Sequence, residues 1–276
     1  MPARVLTPCW RSRALGRDKR VNIILPEGCT EGGPRYPVLY LLHGYGGSRD
    51  TWLRRTRLLD ALQGSGLIVV LPESGRRWLI NDHAGLSYED YVIHDLVPAV
   101  DEHFPTLADR SARAIGGFSM GGATALFLAL RHRGLFAAVT SYAGAFEAPR
   151  RTGDPYTAHR GEPGFAMPTV ESHERVWGPP GSATRRRYDP YLLIDAPSTE
   201  PGPVIHMDIG LQDHDRMVRM NRTVRQALDR RGWQVEYHER RGGHDWEYVE
   251  AALPASLEFL SRNLSATAAD DAVPHL

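Results

Sequence analysis

The sequence has 276 residues, 42% of them hydrophobic, and a formal net charge of zero at pH 7. This length suits one large soluble domain, and zero net charge argues against nucleic acid or an anionic membrane as the main partner, because both select basic proteins. The N-terminal segment lacks the apolar region of a secretory signal, no run is long enough to span a membrane, and Cys9 and Cys29 form no disulfide framework. We therefore expect a cytoplasmic location.

Strand-like and helix-like segments alternate along the chain. Apolar runs such as PVLYLL and LIVVLP are typical of strands buried on both faces of a parallel sheet. The predicted strands lie at 20–26, 37–47, 67–72, 112–119, 135–144, 203–210 and 233–240, and the predicted helices at 49–66, 86–104, 121–134, 215–232 and 246–263. This alternation predicts an α/β fold with a mostly parallel central sheet and helices on both faces.

The alternation stops between residues 147 and 200, a stretch rich in Pro, Gly and Arg. Because long irregular insertions in compact domains often form binding loops, we interpret it as an insertion or lid within a single domain of residues 1–263. A mobile surface loop is an equally good interpretation, and residues 264–276 predict a flexible tail. The insertion contains six arginines that either meet an anionic substrate or form a solvated charged run: Arg150, Arg151, Arg160, Arg185, Arg186 and Arg187.

The segment GGFSMGG places Ser119 between a predicted strand and a predicted helix. Gly117 to Gly121 match the G-x-S-x-G pattern of a nucleophile elbow, in which a strained turn exposes the serine hydroxyl. Glycine is needed two residues to either side, because a side chain there would collide with the neighbouring backbone. Since the strand-to-helix context is present, we favour a nucleophilic Ser119 over a plain turn residue.

A serine hydroxyl needs a histidine base, which follows the nucleophile late in the chain in this architecture. His244 lies in a glycine-flanked loop between the last predicted strand and the last helix, and we select it. His206 lies inside a predicted buried strand, where we expect a core histidine with satisfied hydrogen bonds, His214 opens a helix and His275 is in the tail. The other histidines are expected at the surface or in supporting positions: His83, His94, His103, His132, His159, His173 and His238.

The segment MDIGLQDHDR offers three carboxylates for the orienting acid. Asp213 lies just past the carboxyl end of a predicted strand, where open α/β sheets gather catalytic groups, and we select it. Asp208 lies within the strand, and Asp215 is expected to be a helix N-cap. Asp245 is expected to point away from the neighbouring imidazole.

The last component is a pair of N–H donors for an oxyanion. The loop in LLHGYGGS supplies the backbone N–H of Tyr45, and Met120 supplies the second one. His43 either braces this loop, contacts substrate or is a turn residue. For the segment at 76–85 we predict substrate contacts by Trp78, Asn81 and Asp82, with packing and capping as the alternatives.

These motifs resemble the esterase D group of α/β-hydrolases, which includes S-formylglutathione hydrolases, tributyrin and feruloyl esterases, and the antigen 85 mycolyltransferases. The resemblance runs from VNIILP through YPVLYLLHGYGGS and AIGGFSMGGATALFLAL to DIGLQD and GGHDWEYV. It implies an α/β-hydrolase fold, a Ser119–Asp213–His244 triad and an oxyanion hole formed by Tyr45 and Met120. The segment DPYTAHRGEPGFAMPTVESHE departs from the pattern.

The leading hypothesis is a serine esterase that hydrolyses carboxylic esters of small molecules and needs no cofactor or metal. An acyltransferase that passes the acyl group to an alcohol, sugar or amine is the alternative, and a non-catalytic binding protein of the same fold is a weaker one. A metallohydrolase is weaker still, because QDHD has no accompanying H-E-x-x-H pattern. Whether the protein forms a homo-oligomer stays open.

Overall fold

The computed structural model describes residues 3–30, 32–153 and 168–265. Ten strands lie within these residues, eight of them in one sheet and two in a separate hairpin. The strands are β1 (Arg4–Leu6), β2 (Cys9–Ser12), β3 (Arg17–Arg20), β4 (Asn22–Leu25), β5 (Val38–Leu42), β6 (Ile68–Leu71), β7 (Arg113–Phe118), β8 (Ala138–Tyr142), β9 (Val204–Gly210) and β10 (Val235–Arg240).

The large sheet has the strand order β1-β4-β6-β5-β7-β8-β9-β10. The pairs β1–β4 and β4–β6 are antiparallel, and all pairs from β6 to β10 in this order are parallel. The α/β architecture with a mostly parallel sheet is therefore confirmed. The hairpin of β2 and β3 is antiparallel and is not predicted by the sequence pattern.

Both faces of the sheet are covered, as β5 illustrates. Successive side chains of a strand point to opposite faces. Val38, Tyr40 and Leu42 belong to one buried cluster, whereas Leu39 and Leu41 belong to another. Full burial of an apolar side chain of this size contributes about 1.5–3 kcal/mol, so this continuous apolar run stabilises packing on both sides.

Helices lie in each region for which one was predicted, and further short helices lie within the 147–200 segment. They are α1 (Thr51–Arg55), α2 (Leu58–Ala61), α3 (Tyr88–Asp90), α4 (Val97–His103), α5 (Met120–Arg131), α6 (Val170–Trp177), α7 (Ala183–Arg187), α8 (Pro190–Asp195), α9 (Asp215–Arg230) and α10 (Trp246–Asn263). Among the described residues, no helix combines the length and the apolar character needed to cross a membrane.

Two predicted helices differ in detail. The single helix expected over 49–66 is wrong, because Thr56 adopts an extended conformation and its hydroxyl donates to the Trp52 carbonyl at 2.8 Å, which ends α1 early. The helix expected over 86–104 is present, with a π-helical turn at Tyr91–Leu96 between α3 and α4. Pro98 lacks an N–H to donate to the carbonyl four residues earlier, which accounts for an irregular turn at this point.

The described parts of the 147–200 segment contain α6, α7, α8 and a 3-10 turn at Ala148–Arg150. Trp177 and Tyr188 are fully buried in the main core, and the Trp177 ring lies 4.8 Å from that of Trp78. Residues 154–167 and 266–276 lie outside the described residues. The division into one domain and a tail therefore stays a prediction.

Candidate active site

Ser119 lies at the sharp turn between β7 and α5. Its φ of 56° and ψ of −112° are unusual for a residue with a side chain. A Cβ on Gly117 would lie 2.7 Å from the Leu42 carbonyl oxygen, and one on Gly121 would lie 2.5 Å from the same atom. Glycine at both positions thus allows the end of β5 to pass close behind the turn.

Ser119, His244 and Asp213 form a continuous hydrogen-bonded chain. His244 Nε2 lies 2.8 Å from Ser119 Oγ, and His244 Nδ1 lies 2.6 Å from Asp213 Oδ2. The three side chains follow β7, β10 and β9, whose carboxyl ends meet at one edge of the sheet. This geometry lets an imidazole take the hydroxyl proton while the carboxylate stabilises the imidazolium.

The hydrogen-bonded side chains differ sharply in burial. The Asp213 side chain is fully buried, and its second oxygen, Oδ1, accepts the backbone N–H of His214 at 2.7 Å. The His244 side chain is 27% exposed, and its ring lies 4.8 Å from that of Phe118. The carboxylate is therefore held from both oxygens, whereas the imidazole keeps access to the surface.

Asp208 has a structural position behind the site. Its buried carboxylate accepts hydrogen bonds from the Arg240 guanidinium and, at 2.8 Å, from the Tyr248 hydroxyl. Burial raises the pKa of this carboxyl group above its ordinary value, and the bonds from Arg240 and Tyr248 oppose the rise. These bonds tie both ends of the loop that carries His244 to β9.

The remaining acids lie at helix N-termini. His214, not Asp215, is the N-cap of α9, so the expected N-cap at Asp215 is one residue too late. Asp245 caps α10 by accepting the Tyr248 N–H at 2.8 Å. Within the described residues, no group of three or more His, Cys, Asp or Glu side chains is arranged to hold a metal ion.

Two backbone N–H groups lie at the nucleophile. Met120 is the first residue of α5, where helix geometry leaves N–H groups without intrahelical acceptors. The Tyr45 N–H donates to no other described residue. Gly44, which precedes it, lies against the nucleophile, since a Cβ at Gly44 would be 3.7 Å from Ser119 Cβ. Donors in such positions can stabilise an oxyanion.

His43 braces the loop that carries Tyr45. It is fully buried, its Nδ1 lies 2.7 Å from the Gly44 carbonyl oxygen, and its Nε2 accepts the Ser74 N–H at 2.9 Å. Burial lowers the pKa of His43, which favours the neutral ring that this pattern requires. Both ring nitrogens are used by the backbone, so the predicted substrate contact does not fit the structure.

The other three predicted contacts separate into two groups. Trp78 lines a cavity next to Ser119. Asn81 instead donates through its side-chain amide to Asp90 at 2.8 Å, and Asp82 accepts the Leu86 N–H at 2.9 Å. Asn81 and Asp82 thus shape the turn before α3, which is the packing and capping alternative.

Two spaces meet at Ser119. The first, called the inner cavity, has a volume of about 50 Å³. Its lining combines apolar residues such as Trp78, Met120, Met217 and Met220 with the charged residues Glu147, Arg151 and Arg216. The second, called the outer cleft, has a volume of about 540 Å³ and is lined by loop residues before α1 together with Arg54, Arg55, His244 and Trp246. The two spaces differ in volume about tenfold.

His173, expected at the surface or in a supporting position, is 5% exposed and lines the inner cavity. Its Nε2 has no hydrogen-bond partner among the described residues. Burial lowers its pKa to about 3, and the charges of Arg151 and Arg185 act in the same direction. No helix was predicted here, although His173, Val176 and Trp177 lie at the spacing of one helical face, which is a signal that could have indicated α6.

His206 is buried in β9, as expected, but its hydrogen bonds are not satisfied. Neither ring nitrogen has a partner among the described residues, and the ring packs against Phe259 with centroids 5.4 Å apart. Burial lowers its pKa to about 3, so the ring is neutral. Apolar periodicity predicted the burial of His206, but it carries no information about partners.

The arginines of the 147–200 segment are mostly structural. Arg185 is buried and donates to the carbonyl oxygens of Pro149 at 3.1 Å and Arg151 at 2.6 Å. Arg150 pairs with Asp189 at 3.7 Å. Of the arginines in the described part of this segment, Arg151 lines the inner cavity, whereas Arg160 lies outside the described residues.

A comparison with protein families decides the classification. The family model described as "Putative esterase" matches residues 12–260. The chain belongs to this esterase family. Esterase Rv1288 of Mycobacterium tuberculosis is 35% identical over 143 residues, which cover 49% of this chain but 31% of that protein. The present chain therefore spans about a third of the length of that relative.

Two further proteins resemble this esterase family member over most of its length. The acetyl esterase of Caldicellulosiruptor saccharolyticus is 28% identical over 228 residues, covering 82% of this chain and 83% of that protein. The substrate-bound structure of FphF, a fluorophosphonate-binding serine hydrolase of Staphylococcus aureus, superimposes with a TM-score of 0.80 at 22% identity, covering 95% of this chain and 99% of that one. The α/β-hydrolase fold is thereby confirmed.

Proposed function

We propose that this protein is a serine esterase that hydrolyses carboxylic esters of small molecules. The observation that carries the proposal is the hydrogen-bonded chain from Ser119 Oγ through His244 to Asp213, with distances of 2.8 Å and 2.6 Å. Membership in an esterase family supports it. The reaction uses side chains and backbone groups alone, so the proposal includes no cofactor and no metal.

Acylation begins when Ser119 Oγ attacks the ester carbonyl carbon and His244 Nε2 takes the hydroxyl proton. The N–H groups of Tyr45 and Met120 donate to the oxyanion of the tetrahedral intermediate, while Asp213 stabilises the imidazolium. The intermediate then collapses, the bond to the alcohol oxygen breaks, and His244 gives its proton to the departing alcohol. An acyl-enzyme on Ser119 remains.

Deacylation repeats these steps with water. His244 removes a proton from a water molecule, whose oxygen attacks the acyl carbon, and the same N–H pair stabilises the second oxyanion. Collapse of this intermediate releases the carboxylic acid and returns the proton to Ser119 Oγ. The partly exposed imidazole supports this step, because the outer cleft gives water a path to it.

The volume of the inner cavity supports a short acyl group. A space of about 50 Å³ beside the nucleophile suits an acetyl group or a slightly longer chain. The acetyl esterase among the similar proteins is consistent with this substrate class. A cytoplasmic location and the oligomeric state stay predictions.

The proposal is tested with the variant Ser119→Ala. We expect kcat/KM for p-nitrophenyl acetate to fall by at least about 10³-fold, because no nucleophile remains, while the melting temperature stays close to that of the wild type. Ser65→Ala, at an exposed turn position, is the control and should keep full activity. A fluorophosphonate probe should label the wild type and the control but not Ser119→Ala.

Unchanged ester turnover in Ser119→Ala would refute the nucleophile, and failure of the probe to label folded wild-type protein would favour a non-catalytic binding protein. Acyl transfer is the other alternative, and the width of the outer cleft leaves room for an acceptor. Product analysis with added alcohols separates the two: we expect the free acid as the main product, whereas a dominant transesterified product would establish a transferase.

A further inference from the structure

A third space adjoins the inner cavity. This side cavity has a volume of about 410 Å³ and shares Tyr45, Trp78, Pro168 and His173 with the inner cavity. The four shared residues form the boundary between the two spaces. The side of the inner cavity that these residues form is therefore the side nearest the side cavity.

The side cavity is positively charged. Among the described residues, Arg76, Arg77 and Arg175 line it together with one acid, Glu171, which pairs with Arg175 at 3.7 Å. Neither Arg76 nor Arg77 forms a side-chain hydrogen bond or ion pair with any described residue. Arg76 and Arg77 thus line this space with no carboxylate of a described residue paired to either guanidinium.

The loop that carries these arginines is fixed to the loop that carries Tyr45. The Ser74 hydroxyl donates to the Arg77 carbonyl oxygen at 2.6 Å, and the Gly75 carbonyl accepts the Gly46 N–H at 2.9 Å. Ser74 also donates its N–H to His43. The backbones of Arg76 and Arg77 therefore keep a defined position relative to the proposed oxyanion donors.

The positive field reaches the shared boundary. Burial raises the pKa of the Tyr45 hydroxyl, and the charges of Arg76, Arg151 and Arg77 oppose that rise. The fall in the pKa of His173, which burial dominates, is strengthened by Arg151. Both residues lie between the inner and side cavities, so an anion placed there meets a favourable potential.

We propose that the side cavity binds a carboxylate at the far end of the acyl group, so that the preferred substrates are half-esters of short dicarboxylic acids. This inference rests on the proposed esterase function. Guanidinium groups suit the role because they remain charged and can bind a carboxylate through two parallel N–H···O bonds. Arg76 and Arg77 are the proposed specificity-determining residues.

The test compares monoethyl glutarate with the ethyl ester of glutaramic acid, which has nearly the same shape but an uncharged amide. Released acid is followed by titration at constant pH, and kcat/KM is measured for both esters. We expect wild-type protein to prefer the carboxylate on the order of tenfold or more, as is typical of hydrogen bonds to charged groups. The preference should shrink when ionic strength rises.

The double variant Arg76→Gln/Arg77→Gln should reduce this ratio to about one. Arg219→Gln/Arg230→Gln removes the same charge from exposed positions on α9 and should keep the wild-type ratio. Arg76→Gln alone, at an exposed position, provides a second variant that needs no repacking. An ester with its charge on the alcohol part, 3-acetoxypropanoate, should gain no preference over ethyl acetate.

The outcomes separate this inference from the function on which it rests. If wild-type protein hydrolyses both glutaric esters equally, or if the double variant keeps the preference, the carboxylate site is refuted and the esterase stands. A loss of preference in the α9 control of the same size would also refute it. If wild-type protein hydrolyses no ester at all, both proposals fail.

Discussion

The inner cavity and the outer cleft both adjoin Ser119, yet they are built differently. The inner cavity, of about 50 Å³, is lined by side chains that include Trp78, three methionines and the ion pair of Glu147 with Arg216. The outer cleft, of about 540 Å³, is bounded by glycine-rich backbone and by the exposed side chains of Arg54 and Arg55. One side presents packed side chains, and the other presents backbone and solvent.

This difference indicates that the two halves of an ester are recognised with unequal strictness. The inner cavity is small and mainly apolar, so it selects the acyl group by size wherever the group does not lead toward the side cavity, because an extra methylene there must displace packed side chains. A wide cleft accommodates groups of many shapes and lets water approach. We therefore expect strict selection of the acyl group and loose selection of the alcohol.

The largest effect is expected on the catalytic rate, and it should leave both the acyl and the alcohol selectivity unchanged. In Asp213→Asn we expect kcat to fall by about 10⁴-fold, because the amide no longer stabilises the imidazolium or the correct tautomer of His244. Asp213 lines neither space, so every ester should lose the same factor. Rates for an acyl series and an alcohol series measure this, with Asp215→Asn as the control. A change in acyl selectivity would show that Asp213 also shapes the inner cavity.

A smaller effect is expected on acyl selectivity alone, with alcohol selectivity unchanged. Met220→Ala enlarges the inner cavity, so the kcat/KM ratio of hexanoate to acetate esters should rise about tenfold, while the order of alcohol preference stays. Met220 is 4% exposed, so a loss of about 2–5 kcal/mol in the free energy of unfolding accompanies the change. Arg55→Gln, in the outer cleft, should leave acyl selectivity unchanged. If it alters acyl selectivity, our assignment of the two sides is wrong.

The smallest effect concerns protonation within the inner cavity. The pKa of His173 falls from 6.5 to about 3 on folding, so the unfolded chain binds its proton first as the pH falls. The free energy of unfolding should therefore decrease between pH 6.5 and pH 5, and His173→Gln should reduce that slope by up to about one proton. Urea unfolding at several pH values measures the slope, with His94→Gln, at an exposed position, as the control. An unchanged slope in His173→Gln would contradict the neutral buried ring.

The residues of the proposed triad were accessible from sequence because each one follows a strand. Ser119 and Asp213 directly follow or closely trail apolar runs, and His244 trails the more polar strand β10. The carboxyl ends of parallel strands gather at one edge of a sheet. The order of these residues along the chain and the glycine spacing around Ser119 then narrowed the candidates for nucleophile, acid and base. The same local patterns predicted the sheet, because burial on both faces leaves a continuous apolar run.

The residues that surround the substrate were harder to predict because their positions depend on packing between distant segments. His173 belongs to α6, for which no helix was predicted, and its place at the two cavities depends on how α6 packs against the loops that carry Tyr45 and Trp78. In the sequence, Arg76 and Arg77 look like ordinary surface charges, and only the structure shows that they line the side cavity. His43 had three open interpretations, and the hydrogen bond from Ser74 decided among them.

The loop after β5, which carries Tyr45, and the loop after β6, which carries Arg76 and Arg77, are held together by hydrogen bonds. This has a consequence for protein engineering. The Gly46 N–H donates to the Gly75 carbonyl oxygen, and the Ser74 N–H donates to the His43 ring. These bonds join the loop that carries Tyr45 to the arginine loop without using the side chain of Arg76 or Arg77. Residues that set acyl-group specificity can therefore be replaced without moving the backbone that positions the Tyr45 N–H. Directed libraries restricted to Arg76, Arg77 and the inner face of α6 should retain active members at high frequency.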